Sequence, residues 1–199
     1  KIERTLTITA DGGSEIDADD AVAQVTSAID ALLEKSDAEI THVALCSFWH
    51  SLIGVDAKGK PTTKVFGWAD TRSGKYSDQL KKQFDENETH NRIGAHFHSS
   101  FWPAKLLWLR KDFPDVFAKT QRWLSFSDYV ALKLFGTATT SVSMASGTGI
   151  FDIRKCVWDV DLLRFLKIKP ANLPAIVKND ADTFSLNKTY AKRWPRLAS

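Results

Sequence analysis

The hydrophobic period of this chain changes twice within its first fifty residues, and that change restricts the fold more than any other feature. In Lys1–Thr9 the apolar residues Ile2, Leu6 and Ile8 share one alternation, interrupted by Arg4, which is the period of a half-buried strand. Ala10–Ser14 (ADGGS) has the composition of a turn. From Ala18 to Lys35 the apolar residues Val22, Val25, Ile29, Leu32 and Leu33 recur at helical spacing, behind an Asp17 suited to an N-cap. Ile40–Ser47 (ITHVALCS) then reads as a buried strand. Strands alternating with helices in this way pack as layers, so the expected class is an α/β domain.

The remaining chain continues the pattern. Leu52–Asp56 and Thr63–Trp68 flank Ala57–Pro61 and predict a hairpin whose turn is supplied by Gly59. Ser73–Phe84 reads as a polar helix, and His96–Trp102 as an irregular aromatic stretch. Pro103 suits the first turn of a helix running to Lys111, with Leu106, Leu107 and Leu109 on its apolar face. Ser127 is the expected cap of a helix over Asp128–Phe135, with Gly136 at its C′ position. Short helices and loops, punctuated by Pro170, Pro174 and Pro195, fill the last third.

Composition narrows the function classes. A chain of 199 residues and 22.3 kDa buries roughly 70% of its unfolded surface, enough for one substantial core without staples. Hydrophobic residues at 43% and charged residues at 26% exclude a disordered or low-complexity role. Length suggests one domain, or one and a fraction. No apolar run approaches the about 18 residues a membrane span needs, so no membrane partner is expected. The chain opens on Lys1 without a charged-then-apolar leader, and Cys46 and Cys156 are too few for a disulfide framework. Together these favour a reducing, cytoplasmic compartment. The net charge of +3 comes from interleaved signs rather than a basic stripe, so no nucleic-acid partner is expected.

Four stretches could carry chemistry. Asp11-Gly12-Gly13-Ser14 is the nearest approach to a phosphate loop, but Glu15, Asp17, Asp19 and Asp20 follow at once and would repel an anion, so a plain turn is favoured. His96 and His98 could share one side of an extended segment. No Cys, Asp or Glu stands at ligand spacing, which leaves cleft-lining and surface-loop readings open. Ser47-Phe48-Trp49-His50-Ser51 leaves the end of a strand, where α/β domains place ligands. It serves either as a site or as a Trp–His pair closing the core. His50 beside Ser51 also invites a nucleophile reading, against which no glycine elbow or orienting acid stands nearby. In Trp68-Ala69-Asp70-Thr71-Arg72 an aromatic plane adjoins a carboxylate and a guanidinium. That grouping holds a polyol by its C–H face and hydroxyls, or makes a structural ion pair under a core Trp.

The succession C-S-F-W-H-S-L-I-G-V-D, G-K-P, W-A-D-T-R and I-G-A-H-F-H-S-S-F-W-P-A-K-L-L-W-L resembles the N-terminal domain of the FGGY carbohydrate kinases. R-W-L-S-F-S-D-Y-V-A-L-K-L-F-G and S-G-T-G-I-F-D-I-R-K-C-V-W-D continue the resemblance in the same order. It runs from about Ile40 to Trp194 and, within the family, is nearest to gluconate kinases. It implies a ribonuclease-H-like (actin-like ATPase) domain, a mixed sheet with helices on both sides, incomplete at both ends. On this reading residues 1–199 are a partial N-terminal, sugar-binding domain. The first phosphate-loop strand and the C-terminal ATP domain would lie outside the chain.

Carried over by residue, the resemblance implies that Trp49 and His50 contact sugar hydroxyls and that Trp68 stacks on the sugar. Asp70 and Arg72 fill the W-x-D-x-R motif, and His98 lines the same pocket. Ser146-Gly147-Thr148-Gly149 matches a loop near the cleft without a single assignable contact. Relatives with other substrates carry Q-M-H-G or Q-R-E-T where this chain has F-W-H-S, and the bulk of Trp49 weighs against glycerol and simple xylulose. The implied activity is transfer of the γ-phosphate of ATP to a hydroxyl of a sugar or sugar acid, gluconate-type first and xylulose-like next, with ATP and Mg²⁺ in the complete enzyme. No catalytic residue is expected within the chain, the catalytic Asp falling beyond Ser199, so the chain alone should be inactive. The alternative is a non-catalytic carbohydrate-binding module derived from such a kinase. A homodimer is the assembly to be tested.

Overall fold

The computed structural model describes residues 6–177 and 184–197. β1 (Thr7–Ile8) and β2 (Ser14–Ile16) form an antiparallel pair across the Ala10–Ser14 turn. α1 (Ala18–Lys35) follows with the expected bounds. The Asp17 carboxylate accepts from the amides of Asp19 and Asp20, satisfying donors that the first helical turn leaves open. β3 (Ile53–Val55) and β4 (Val65–Phe66) are the arms of the expected hairpin. Leu52 and Phe66 exchange backbone bonds of 3.1 and 2.9 Å, and Gly59 supplies the turn at φ +75°. β4 pairs with β2 on its other side, and β3 pairs with the later strand β5 (Arg122–Leu124). The strands therefore run β1-β2-β4-β3-β5, linked at the centre by the Leu52–Phe66 bridge.

Between the hairpin and β5 lie α2 (Gly74–Gln83), α3 (Glu86–Ile93), α4 (Trp102–Asp112) and α5 (Pro114–Lys119). After β5 come α6 (Phe126–Phe135), β6 (Thr139–Ser141), α7 (Val142–Ser146), β7 (Phe151–Asp152), β8 (Val157–Trp158), α8 (Val160–Leu166), β9 (Ala175–Val177) and α9 (Lys188–Arg193). β7 and β8 form a small antiparallel hairpin, and β6 and β9 a parallel pair. Parallel and antiparallel pairing are thus both present, in small sheets, with β6–β9 the parallel pair among the described residues.

Strand alternation divides the apolar residues into two cores. Leu52 and Trp123 pack with α4, Leu80, Ile93, Phe151 and Leu163 on one side. Ile53, Val55 and Leu124 pack with Val22 of α1, Val65, Tyr129, Val130 and Trp194 on the other. Gly54, opposite Trp123 in the ladder, permits this close layering. A Cβ there would sit 2.8 Å from the Trp123 ring and 2.7 Å from the Thr62 hydroxyl. Burial on both faces explains why α4 is apolar nearly all round, from Trp102 to Leu109.

Three expectations are corrected here. Residues 40–47 do not form a buried strand: Val43 is 73% and Leu45 50% exposed, and no strand among the described residues pairs with them. A strand takes its stability from its neighbours, and the apolar content of ITHVALCS cannot supply one. In the first stretch Ile8 is 69% exposed rather than half-buried, and Ile2 and Arg4 lie outside the described residues. The cap of α6 is Ser125, not Ser127. Its hydroxyl accepts from the Asp128 amide at 3.2 Å while the Asp128 carboxylate accepts from the Ser125 amide at 2.8 Å, a reciprocal capping box.

That box buries a carboxyl group. Burial pushes Asp128 up to about 6 from 3.8, against hydrogen bonds from Ser125 and Thr140 that work to lower it. A group raised in the folded state contributes stability below its unfolded value and loses it as pH rises through the folded one. Asp128→Asn keeps the capping acceptor without the charge. The stability of the unaltered protein relative to this variant should therefore fall by on the order of 2–3 kcal/mol between pH 4 and pH 7, measured by urea unfolding at each pH.

Candidate functional site

The glycine turn is committed to its own geometry. The Gly12 amide donates to the Thr9 carbonyl at 3.1 Å and the Gly13 amide to the Thr9 hydroxyl at 2.9 Å, so no cluster of free amides faces outward for a phosphate. Gly12, at φ +89°, instead turns its carbonyl to accept from the Thr71 amide at 3.0 Å, docking the turn against the Trp68–Arg72 segment.

Beneath that docking lies an ion pair. Asp70 is 1% exposed and accepts from the Ser14 amide at 3.2 Å and the Arg72 amide at 3.2 Å, with the Arg72 guanidinium on the same carboxylate at 2.6 Å. The guanidinium also donates to Glu15 at 2.7 Å and lies over the rings of Phe66 and Trp108, 5.3 and 5.0 Å from their centroids. Burial works to lower the Arg72 pKa, but its bonds to Asp70 and Glu15 outweigh that and leave it raised. Every acceptor direction of Asp70 is thus turned inward. It and Arg72 fasten the β1–β2 hairpin to the site segment, and the hydroxyl contact expected of Asp70 has no open face to work from.

Trp49 and His50 occupy a turn rather than the end of a strand. His50 stands at φ +64°, a conformation costly for a residue with a Cβ. Three contacts hold it there. Its Nδ1 is 2.5 Å from the Gly147 carbonyl oxygen, its ring sits 4.6 Å edge-on from Phe101, and the Trp49 ring lies 5.9 Å away. A Cβ on Gly147 would come within 3.1 Å of the Trp49 indole, so glycine is what lets the S-G-T-G loop pass beneath that ring. A carbonyl partner makes Nδ1 the donor, and neutral His50 is left with Nε2 as its lone-pair atom. Ser51 is fully buried, its hydroxyl accepting from the Phe126 amide at 3.0 Å, which closes the nucleophile reading.

His98 has the opposite polarity. The Ser100 amide donates to His98 Nδ1 at 3.2 Å, so the proton of the neutral ring sits on Nε2. The Ser100 hydroxyl, also 3.0 Å from that Nδ1, lies 2.8 Å from the Trp68 carbonyl and donates to it. Trp68 itself is 59% and Trp49 48% exposed. The Ser100 hydroxyl ties the 98–101 loop to the Trp68 backbone, Phe101 of that loop packs on His50, and Gly147 lies against both His50 and Trp49. The four side chains offer two exposed indoles, an imidazole acceptor and an imidazole donor, groups suited to a ring or chain with C–H faces and hydroxyls. Cavities of about 450 and 350 Å³ lie elsewhere, between α2–α3 and α8 and between α1 and α9.

His96 does not join His98. It stacks on His90 at 4.3 Å, near the Glu86 carboxylate. Among the described residues no group of three or more His, Cys, Asp or Glu side chains could hold a metal ion. Sequence reasoning missed Lys105. Its side chain is fully buried, its Nζ donating to the Ser99 carbonyl at 2.9 Å and to the Ser100 carbonyl, beneath the loop that carries His98. Burial lowers its pKa to about 7, opposed by the Asp70 charge. A lysine amid Pro-Ala-Lys-Leu-Leu-Trp, inside an apolar helix, was the signal available.

The architecture is that of solved sugar kinases. A gluconate kinase from Lactobacillus acidophilus superposes with a TM-score of 0.91 at 29% identity, over 98% of this chain and 39% of its own. The description "FGGY family of carbohydrate kinases, N-terminal domain" matches residues 1–196, and the chain belongs to that family. Similar curated proteins include a gluconokinase from Bacillus licheniformis, 27% identical over 161 residues, 81% of this chain and 31% of that one. A xylulose kinase from Staphylococcus xylosus is 27% identical over 139 residues, 70% of this chain and 29% of that one. The chain spans about a third of the length of these curated relatives.

The ion pair yields a direct test. Asp70→Asn removes the buried charged acceptor and leaves Arg72 with Glu15 as its counter-charge. It should therefore cost on the order of 1–3 kcal/mol and lower the melting temperature clearly in a thermal scan. Arg72→Lys, which cannot reach Asp70 and Glu15 in the same forked geometry, should cost less but measurably.

Proposed function

We propose that this chain forms the sugar-binding side of an ATP-dependent carbohydrate kinase that phosphorylates a hydroxyl of a sugar or sugar acid, with a gluconate-type substrate favoured and a xylulose-like one next. The observation that carries the reading is the exposed pair Trp49 and Trp68 beside two histidines of opposite hydrogen-bonding sense, in a chain of this family. Trp68 covers carbon faces. His50 accepts from one hydroxyl through Nε2, and His98 donates through Nε2–H to another oxygen or to a carboxylate. Asp70 and Arg72 act by holding the Trp68 segment in place.

In the reaction a substrate hydroxyl oxygen bonds to the γ-phosphorus while the bond to the bridging oxygen of ADP breaks, the hydroxyl proton passing to a base. Such transfer depends on positioning, metal and base together. The residues described here answer to the first. The committed amides of the glycine turn and the lack of a metal-binding cluster among the described residues do not fit Mg²⁺ or a triphosphate. On this reading the acidic base and the groups that hold nucleotide and metal are supplied by the rest of the kinase. The cytoplasm, where the exposed thiol of Cys46 stays reduced, suits both the substrate and the chain.

Calorimetric titration of the 199-residue chain with gluconate, xylulose, ribulose and glycerol tests the reading. Gluconate should bind most tightly and glycerol least. His50→Ala should weaken gluconate by about 1–3 kcal/mol and Trp68→Phe by roughly 1–2 kcal/mol, with the melting temperature unchanged within a few degrees. In the longer kinase the same changes should raise the KM for sugar and leave that for ATP alone. The chain by itself should show no sugar-dependent ATP hydrolysis above background. Absence of binding to every member of the panel would refute the proposal.

A further inference from the structure

Lys105 is buried in α4, and no carboxylate stands within ion-pair distance of it among the described residues. An unpaired buried ammonium is costly, and a helix packed on all sides has no need of one. Two of its three donors go to the carbonyls of two successive residues, Ser99 and Ser100. Ser73, at the start of α2, adds its hydroxyl to the Ser99 carbonyl at 3.2 Å. Pinning two consecutive carbonyls inward sets the side of the loop on which its polar groups emerge. The Ser100 hydroxyl meets the Trp68 carbonyl, the Ser100 amide meets His98, and Phe101 meets the His50 ring. An apolar residue at 105 would take the ammonium donor from the Ser100 carbonyl and leave the Ser99 carbonyl to Ser73 alone.

We propose that Lys105 is a positioning residue for the sugar-binding face: from beneath, it fixes the 98–101 loop and through it the spacing between Trp68, His98 and His50. This deepens the sugar-kinase reading and rests on it. Lys105 touches no substrate. It acts through backbone carbonyls, and its lowered pKa of about 7 reflects the same burial. Ser100 is the link that carries the position to Trp68.

Lys105→Met, of similar length and without charge, tests this in the 199-residue chain, with gluconate as the titrant. Amide hydrogen exchange over residues 97–102 should quicken at least tenfold while β5 and α6 exchange as before, and the gluconate Kd should rise by about tenfold or more. Ser100→Ala leaves the buried ammonium alone and is safe for the fold, so it covers the case in which Lys105→Met does not fold. It should raise the gluconate Kd severalfold without quickening β5. Lys105→Arg, which retains a cation able to reach the carbonyls, should recover part of the affinity lost in the methionine variant. Gluconate affinity unchanged in both Lys105→Met and Ser100→Ala, while the unaltered protein binds, overturns the positioning role and leaves the kinase reading standing. So does equal loss in the arginine and methionine variants. No binding by the unaltered protein overturns the kinase reading itself and, with it, this role.

Discussion

The bond between Asp70 and Arg72 is the contact on which the rest of the site depends. It is buried, and it is made twice over, through the Arg72 amide and the guanidinium. The same two side chains also hold Ser14 and Glu15 of the β2 strand. A charged pair withdrawn from water is stable only when its remaining donors and acceptors are met, and here backbone amides and two aromatic faces meet them. The cost of burying it is offset by what it joins. The amino-terminal hairpin and the Trp68 segment are distant in sequence, and the pair reinforces the backbone bonds from Gly67 to Ser14 and from Thr71 to Gly12 that also link them.

On that support the exposed face is assembled from loops. His50 is kept at a left-handed backbone angle by the Gly147 carbonyl and the Phe101 ring, and His98 by the Ser100 amide. In each case a backbone group chooses which ring nitrogen carries the proton, the distant Gly147 carbonyl for His50 and the neighbouring Ser100 amide for His98, and so whether the ring offers the ligand an acceptor or a donor. Rigid secondary structure lies behind these loops, with α4 supplying Lys105 from below and the β3–β5 ladder separating the two cores. Binding faces are commonly built in this way, with mobile-capable loops held by a scaffold that does not move.

Much of the local structure was legible in the residues. Asp17 and the period behind it mark α1 to the residue, Gly59 and Gly136 mark their turns, and Pro103 marks the first turn of α4. These signals are local: a cap or a left-handed glycine acts within four residues. The misreadings share the opposite character. ITHVALCS has the composition of a buried strand, but a strand exists through its neighbours, and none among the described residues stands beside it. Ser127 and Ser125 are both plausible caps by type, and only the reciprocal bond to Asp128 selects Ser125. The motif W-A-D-T-R led equally to a ligand site and to an ion pair. Its Asp70 is buried in the ion pair, while its Trp68 is exposed, the placement a ligand contact requires.

By itself the sequence determined the α/β class, most helix limits and the family. Those follow from periodicities and motifs in which neighbouring residues constrain one another. Only the tertiary structure decided which nitrogen of His50 carries its proton, how the Asp70–Arg72 pair is tied down, and where the Ser100 hydroxyl is directed. Each of those outcomes depends on a partner many positions away: Gly147 for His50, Ser14 and Glu15 for the Asp70–Arg72 pair, and the Trp68 carbonyl for Ser100. Hydrogen-bond direction and burial are properties of such pairs, and a linear pattern carries only one member of the pair at a time.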